Sequence, residues 1–164
     1  MSGSIGFLVS LLLALILQIV QLPDWAALVR PIWPLLVIGY WALYAPGSPA
    51  LIAAWLLGLC LDVLLNAALG QHALGLVVVA FLIRRLRGIY VLFPIWQATL
   101  ALAPVWSLYV FLMFWIDGLT RHTADNDLRW LPILSTTLVW PIATGLLDSF
   151  RASRARRRNR MRLP

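Results

Sequence analysis

Asp62 is the residue best placed to carry chemistry: a carboxylate thirteen residues into the apolar stretch 50–69. An acid inside an apolar helix is costly and ordinarily faces protein or water, not lipid. Gly58, Asp62 and Asn66 recur every four residues. A helix would stack them on one face, with the glycine admitting a close neighbour and the two polar groups bonding across to it. The reading favoured is a hydrogen-bonded Asp62 that holds helices together. The alternatives are a proton relay or cation site and a direct contact with a partner subunit. A relay usually draws on several ionisable groups, whereas Asp117 and Asp148 fall at the ends of apolar segments. His72, which follows Leu69, Gly70 and Gln71, reads as a hydrogen-bonding turn residue and not as a metal ligand, because no acid or second histidine is close in sequence. The loop 120–127 with His122 resembles a calcium loop only loosely, lacking its glycine and its terminal Glu. Cys60, the single cysteine, cannot build an intrachain disulfide and reads as a packing residue. With no Gly-rich phosphate loop, no G-x-S-x-G, no H-E-x-x-H and no locally paired carboxylates, the expectation is no enzyme, no cofactor and no metal.

The elements that must hold these residues are apolar. Of 164 residues, 62% are hydrophobic and 12% charged, and mean hydropathy is +0.89. A soluble domain is about half apolar and about a quarter charged, so this chain needs lipid as solvent. Six apolar segments stand out, 5–22, 31–44, 50–69, 73–83, 89–116 and 130–147. Segment 31–44 offers about 21 Å of helix against a hydrocarbon core of about 30 Å, so it is marginal. Segment 73–83 is also short, and both rely on packing or local thinning of the bilayer. Segment 89–116 counts once, tilted, with Pro104 as a possible site of a kink. The expected fold class is an all-α integral membrane protein, a compact bundle of about six transmembrane helices in one domain, 1–150, followed by a basic tail, 151–164. The first segment has no basic flank and no Ala-x-Ala pattern, so it is expected to be retained.

Charge sets the orientation. All thirteen basic residues are Arg and all six acids are Asp, a bias consistent with a GC-rich genome. With six spans, Arg84, Arg85, Arg87 and the seven arginines of the tail share a face, which the positive-inside rule makes cytoplasmic together with both termini. Trp25, Trp41, Trp115, Trp130, Tyr40, Tyr44 and Tyr90 fall near segment ends, as interfacial anchors do. The tail arginines Arg154, Arg156, Arg157, Arg158 and Arg160 are expected to meet anionic lipids or an acidic cytoplasmic partner. Nucleic acid is not expected, because no aromatics interleave with them.

Several strings, in order, resemble the rod shape-determining protein MreD family: residues 12–18, then Arg30-Pro31-Ile32-Trp33, Leu35-Leu36, Tyr40-Trp41 and Pro46. The densest is Gly58-Leu59-Cys60-Leu61-Asp62-Val63-Leu64, leading to Leu69-Gly70 and Leu74, with Trp96-Gln97 and Val139-Trp140-Pro141 later. The resemblance implies a non-catalytic scaffold subunit of bacterial cell-wall elongation in the inner membrane. It would work with MreC, the actin-like MreB, and a RodA-type glycan polymerase with its penicillin-binding transpeptidase. It also implies a bundle similar to the substrate-binding subunits of energy-coupling-factor transporters, and carries over to Arg30, Pro31, Trp33, Gly58, Asp62 and Gly70 as positions that shape the bundle. The uncharged N-terminus and Pro34 depart from the family pattern, and Pro34 leaves the start of the second helix open. Gly58 and Ala54 would open an intramembrane groove to a bitopic partner such as MreC. The rival reading is a small-molecule-binding subunit of an uptake transporter, whose pocket would draw on Gln18, Asp62, Asn66 and Gln97. A third, a lipid or glycan enzyme, would need an acid or base essential for turnover.

Overall fold

The computed structural model describes residues 2–45, 47–90, 92–120 and 127–160. Six long helices carry the fold: α1 (Ser2–Ile19), α3 (Trp33–Tyr44), α4 (Ala50–Leu64), α5 (Gln71–Tyr90), α6 (Ile95–Thr120) and α7 (Leu131–Arg160), with a short α2 (Asp24–Ala27) and a 3-10 turn at Asp127–Trp130. Among the described residues there is no strand.

Helix α3 is the centre of the bundle. Its residues are apolar on every side, and Pro34 to Tyr40, Ala42 and Leu43 are all buried against α1, α4, α5 and α7. A helix that is apolar all round has to be covered all round. Pro34 sits in its first turn, where a missing N–H breaks no helix hydrogen bond, so the helix begins at Trp33 and not at residue 31. Twelve residues give about 18 Å, and this shortness is tolerated because protein, not lipid, surrounds the helix. Near its middle, a Cβ on Gly39 would lie 2.8 Å from the Trp106 ring and 3.3 Å from that of Trp140, so the glycine makes room for the two indoles of the core.

The helices alternate in direction, giving the bundle two ends. At one, called here the Asp62 end, α1, α4 and α6 finish and α3, α5 and α7 begin. There the Trp33 N–H donates to Gln18 Oε1 (3.3 Å), the Ile32 N–H to Thr136 Oγ1 (3.0 Å), and Gln71 Nε2 to Asp117 Oδ1 (2.7 Å). At the other, the Arg87 end, the Tyr40 hydroxyl donates to Asp148 Oδ1 (2.6 Å), Arg87 Nε to the Leu43 carbonyl (2.6 Å), and the Tyr90 hydroxyl to the Ala101 carbonyl (3.0 Å).

Further boundaries differ from the sequence reading. The helix expected over 50–69 ends at Leu64, because Asn66 takes the left-handed conformation (φ 53°) and the Ala67 N–H reaches back to the Asp62 carbonyl (2.9 Å). That is a Schellman-type end with asparagine as the left-handed residue, and it removes Asn66 from the face it was expected to share with Gly58 and Asp62. Helix α5 runs to Tyr90, well beyond residue 83, so Arg84, Arg85 and Arg87 lie on a helix and not in a loop. Its buried side, Leu76, Val79, Ala80, Ile83 and Tyr90, keeps helical spacing, and arginine is a good helix former. The segment expected over 89–116 is divided at Pro94, so residues 89–90 belong to α5 and α6 runs from Ile95 through Pro104 to Thr120. Helix α7 does not stop at 147 but continues through the backbone of the tail to Arg160. The side chains of Arg154, Arg156, Arg157, Arg158 and Arg160, and the loop with Arg121 and His122, lie outside the described residues.

The bundle's outer surface is apolar. Leu8, Leu12 and Ile16 on α1, Ile52, Leu56 and Val63 on α4, and Leu138 and Ile142 on α7 all point outward. Two helices, Ile95–Leu119 and Leu131–Asp148, are long and apolar enough to cross a membrane, and only 28% and 22% of those windows is buried. Most of each window is therefore left uncovered by the rest of the chain. Helices Ile5–Ile19, Trp33–Tyr44 and Ala50–Leu64 are apolar but shorter. Trp115 and Trp130 are exposed near helix ends, whereas Tyr40 and Tyr90, expected as interfacial anchors, are buried with their hydroxyls bonded to protein.

Candidate functional site

The polar groups singled out in the sequence converge at the Asp62 end. Because the Schellman-type end turns the chain straight after α4, and Gly70 adopts φ +94°, a conformation that favours glycine, the first turn of α5 folds back onto Asp62. The carboxylate is 1% exposed. Its Oδ2 accepts the Gly70 N–H (2.8 Å), and its Oδ1 accepts both the His72 N–H (2.8 Å) and the His72 ring at Nδ1 (2.8 Å). Asp62 thus caps α5 from another helix: it takes two of the N–H groups that a helix start leaves open, and its charge meets the positive end of the helix dipole. His72 belongs to this turn and hydrogen-bonds within it, and the acid it bonds, ten residues away, comes from the facing helix. Facing a carboxylate oxygen, Nδ1 carries the ring proton, which leaves Nε2 to the other side.

One turn before Asp62, a Cβ on Gly58 would lie 2.2 Å from Ala73 Cα and 2.4 Å from the Ala73 backbone nitrogen. The close approach that Gly58 permits is made to α5 of the same chain. Ala54, on the same side, is fully buried. The groove expected at these two small residues is therefore filled from within.

The residues 30–33 close the same end from the other side. Arg30 donates through Nη2 to the Leu17 carbonyl of α1, Ile32 is bonded to α7 and Trp33 to α1. Pro31 lies between these anchors, ahead of α3. The turn between α1 and α3 is in this way tied to both helices that flank the N-terminus of α3.

Between the two corners lies a cavity of about 290 Å³, lined by Gln18, Arg30, His72, Tyr109 and Asp117 together with apolar side chains such as Met113. Sequence reasoning named Gln18, Arg30 and His72 separately but did not bring them together. Tyr109 was missed: it lies in an apolar run and nothing in its spacing marks it, although its ring packs where Gly75 leaves room for it. Asp117 was set aside as a segment-end residue, yet it holds Gln71 and lines the cavity. Asn66 is exposed and Gln97, near the start of α6, belongs to the far end, so neither joins this site.

Comparison with known proteins adds one relative and one family. The chain is 29% identical over 142 residues to the rod shape-determining protein MreD of Haemophilus influenzae, which covers 85% of this chain and 86% of that one. No solved structure matches it significantly. A family model described as rod shape-determining protein MreD matches residues 3–150, from α1 through the first two thirds of α7. With nearly the whole helical bundle inside that match, the chain belongs to the rod shape-determining protein MreD family.

Proposed function

We propose that this chain determines rod shape as a non-catalytic scaffold subunit of the bacterial cell-wall elongation complex, embedded in the inner membrane by its six long helices. The observation that carries the reading is the family match over residues 3–150. The apolar outer surface and the low burial of α6 and α7 support membrane insertion, since a soluble monomer rarely exposes contiguous apolar patches of more than a few hundred Å². Arg87, its neighbours Arg84 and Arg85, and the α7 extension with the tail arginines all belong to the same end of the bundle, which supports a cytoplasmic Arg87 end and cytoplasmic termini. Part of this reading is that the bundle is similar to the substrate-binding subunits of energy-coupling-factor transporters and is used here to hold partner helices.

The first partner is MreC, and with it MreB, the RodA-type polymerase and the elongation transpeptidase; anionic lipids meet the tail. Because α5 fills the small-residue side of α4, a bitopic partner has to pack on outward apolar faces, such as the groove of about 220 Å³ between α1, α3 and α7 that Leu13, Val37 and Ile142 help to line. The test is co-purification of the tagged full chain from native membranes in a mild detergent, with mass spectrometry of what stays bound. The scaffold reading expects a bitopic wall-elongation protein together with the polymerase or transpeptidase. Recovery of an ATPase pair with its membrane coupling subunit, and no wall proteins, overturns it in favour of uptake.

A further inference from the structure

The cavity at the Asp62 end is lined by polar atoms that the fold itself leaves unused. Arg30 donates through Nη2 to the Leu17 carbonyl, but its Nε is buried and has no hydrogen-bond partner among the described residues. Gln18 accepts from the Trp33 N–H at Oε1, which leaves its amide N–H groups free of any bond within the described residues. The Tyr109 hydroxyl is in the same position, on a side chain only 4% exposed. His72 is held by Asp62 through Nδ1, so only Nε2 is open to a ligand. A buried donor with no acceptor costs about 1–3 kcal/mol and is rare in native proteins. Of these groups Arg30 Nε is the buried orphan; the Gln18 amide and the Tyr109 hydroxyl are unbonded donors on side chains lining the same cavity, so a ligand that takes Arg30 Nε can take them as well.

We propose that this cavity binds the phosphate of a phosphate ester, with Arg30 Nε as the principal donor and Gln18 and Tyr109 as further ones. A guanidinium with additional neutral donors suits a phosphate, whose several oxygens can take them all, better than a carboxylate with two. At about 290 Å³ the cavity lies at the lower edge of the range for small-molecule sites, about 300–1,000 Å³, so it takes a headgroup-sized ligand. Among the described residues of the lining, Asp117, whose Oδ1 accepts from Gln71, is the carboxylate. Val110, Met113 and Pro132 give the ester's organic part an apolar wall. A soluble phosphate ester and a lipid headgroup share this chemistry. The site is remote from the basic tail and does not rest on the scaffold reading.

The test uses the full chain purified in dodecyl maltoside. Glycerol 3-phosphate is titrated calorimetrically, and native mass spectrometry follows retention of phosphatidylglycerol against a diacylglycerol of the same chains. Saturable binding of at least one phosphate probe is expected, weakened about tenfold or more by Arg30→Gln and several-fold by Tyr109→Phe. Arg84→Gln, at an exposed arginine in the half of α5 nearer the Arg87 end and outside the cavity lining, is expected to leave it unchanged. Binding of glycerol 3-phosphate identifies a soluble ester. Retention of phosphatidylglycerol but not diacylglycerol, without glycerol 3-phosphate binding, identifies a headgroup. If Arg30→Gln does not fold, Tyr109→Phe, which keeps the ring against Gly75, decides. No saturable binding by the unaltered protein, unchanged binding in Tyr109→Phe, or an equal loss in Arg84→Gln overturns the proposal.

Discussion

Asp62 accepts three hydrogen bonds from residues 70 and 72 and is shielded from solvent. Replacing it with alanine leaves the first turn of α5 with buried, unanswered N–H groups, so Asp62→Ala should destabilise the fold by about 3 kcal/mol. Asp62→Asn keeps one acceptor oxygen and should fall between the two; thermal unfolding in detergent ranks all three. Gly58 gives a sharper contrast, because a methyl there would overlap the Ala73 backbone, which cannot rotate away. Gly58→Ala should cost about 1–3 kcal/mol or block folding. Gly118→Ala, on an exposed stretch of α6 with nothing within 4 Å, should be neutral or stabilising by up to about 1 kcal/mol, from helix propensity. Sequence alone marks Asp62 and Gly58, since an acid and a glycine in an apolar run both ask for a reason. It does not reveal their partners. Spacing by four assumed that the helix continued to Asn66, and a left-handed residue can be recognised from asparagine only as a possibility, not as an event.

Element existence was legible and element ends were not. Each apolar segment read from the sequence contains the greater part of one long helix or lies largely within one, because a run of leucine, valine and alanine has to be covered whichever residue ends it. The ends depended on local events: Pro34 and Pro94 set two starts, Asn66 one finish, and Arg84 to Arg87 turned out to extend a helix instead of closing it. Charge marks a membrane boundary, but a helix does not end where lipid does. Arg87 shows what the extension achieves: its Nε ties the last turns of α5 to the Leu43 carbonyl at the end of α3. Arg87→Ala should therefore speed amide hydrogen exchange over residues 86–90 and cost about 1 kcal/mol, while the exposed neighbour Arg84→Ala should do neither.

For the molecule as a whole, composition already required lipid, and the outward leucines of α1, α4 and α7 show where that lipid would lie. The central place of α3 could not be read from the sequence, because a short apolar segment looks the same whether it is marginal in the bilayer or wrapped by neighbours. Orientation is open to a direct test in a Cys60→Ala background. Gly118→Cys, at the Asp62 end, should react with an impermeant maleimide on intact spheroplasts. Gly88→Cys, at the Arg87 end, should react only after lysis; the reverse pattern would invert the topology. The bonds of the bundle also differ in when they can form. Asp62 finds its partners eight and ten residues downstream, and Arg30 meets Leu17 across thirteen. At about 5–20 residues per second of synthesis, the Asp62 corner can close within about two seconds of its carboxylate being made. The Ile32 to Thr136 and Tyr40 to Asp148 bonds span 104 and 108 residues and must wait for α7. Until then α3 has one open flank, and the growing chain is a barrel short of its last stave, a state that the insertion machinery has to shelter.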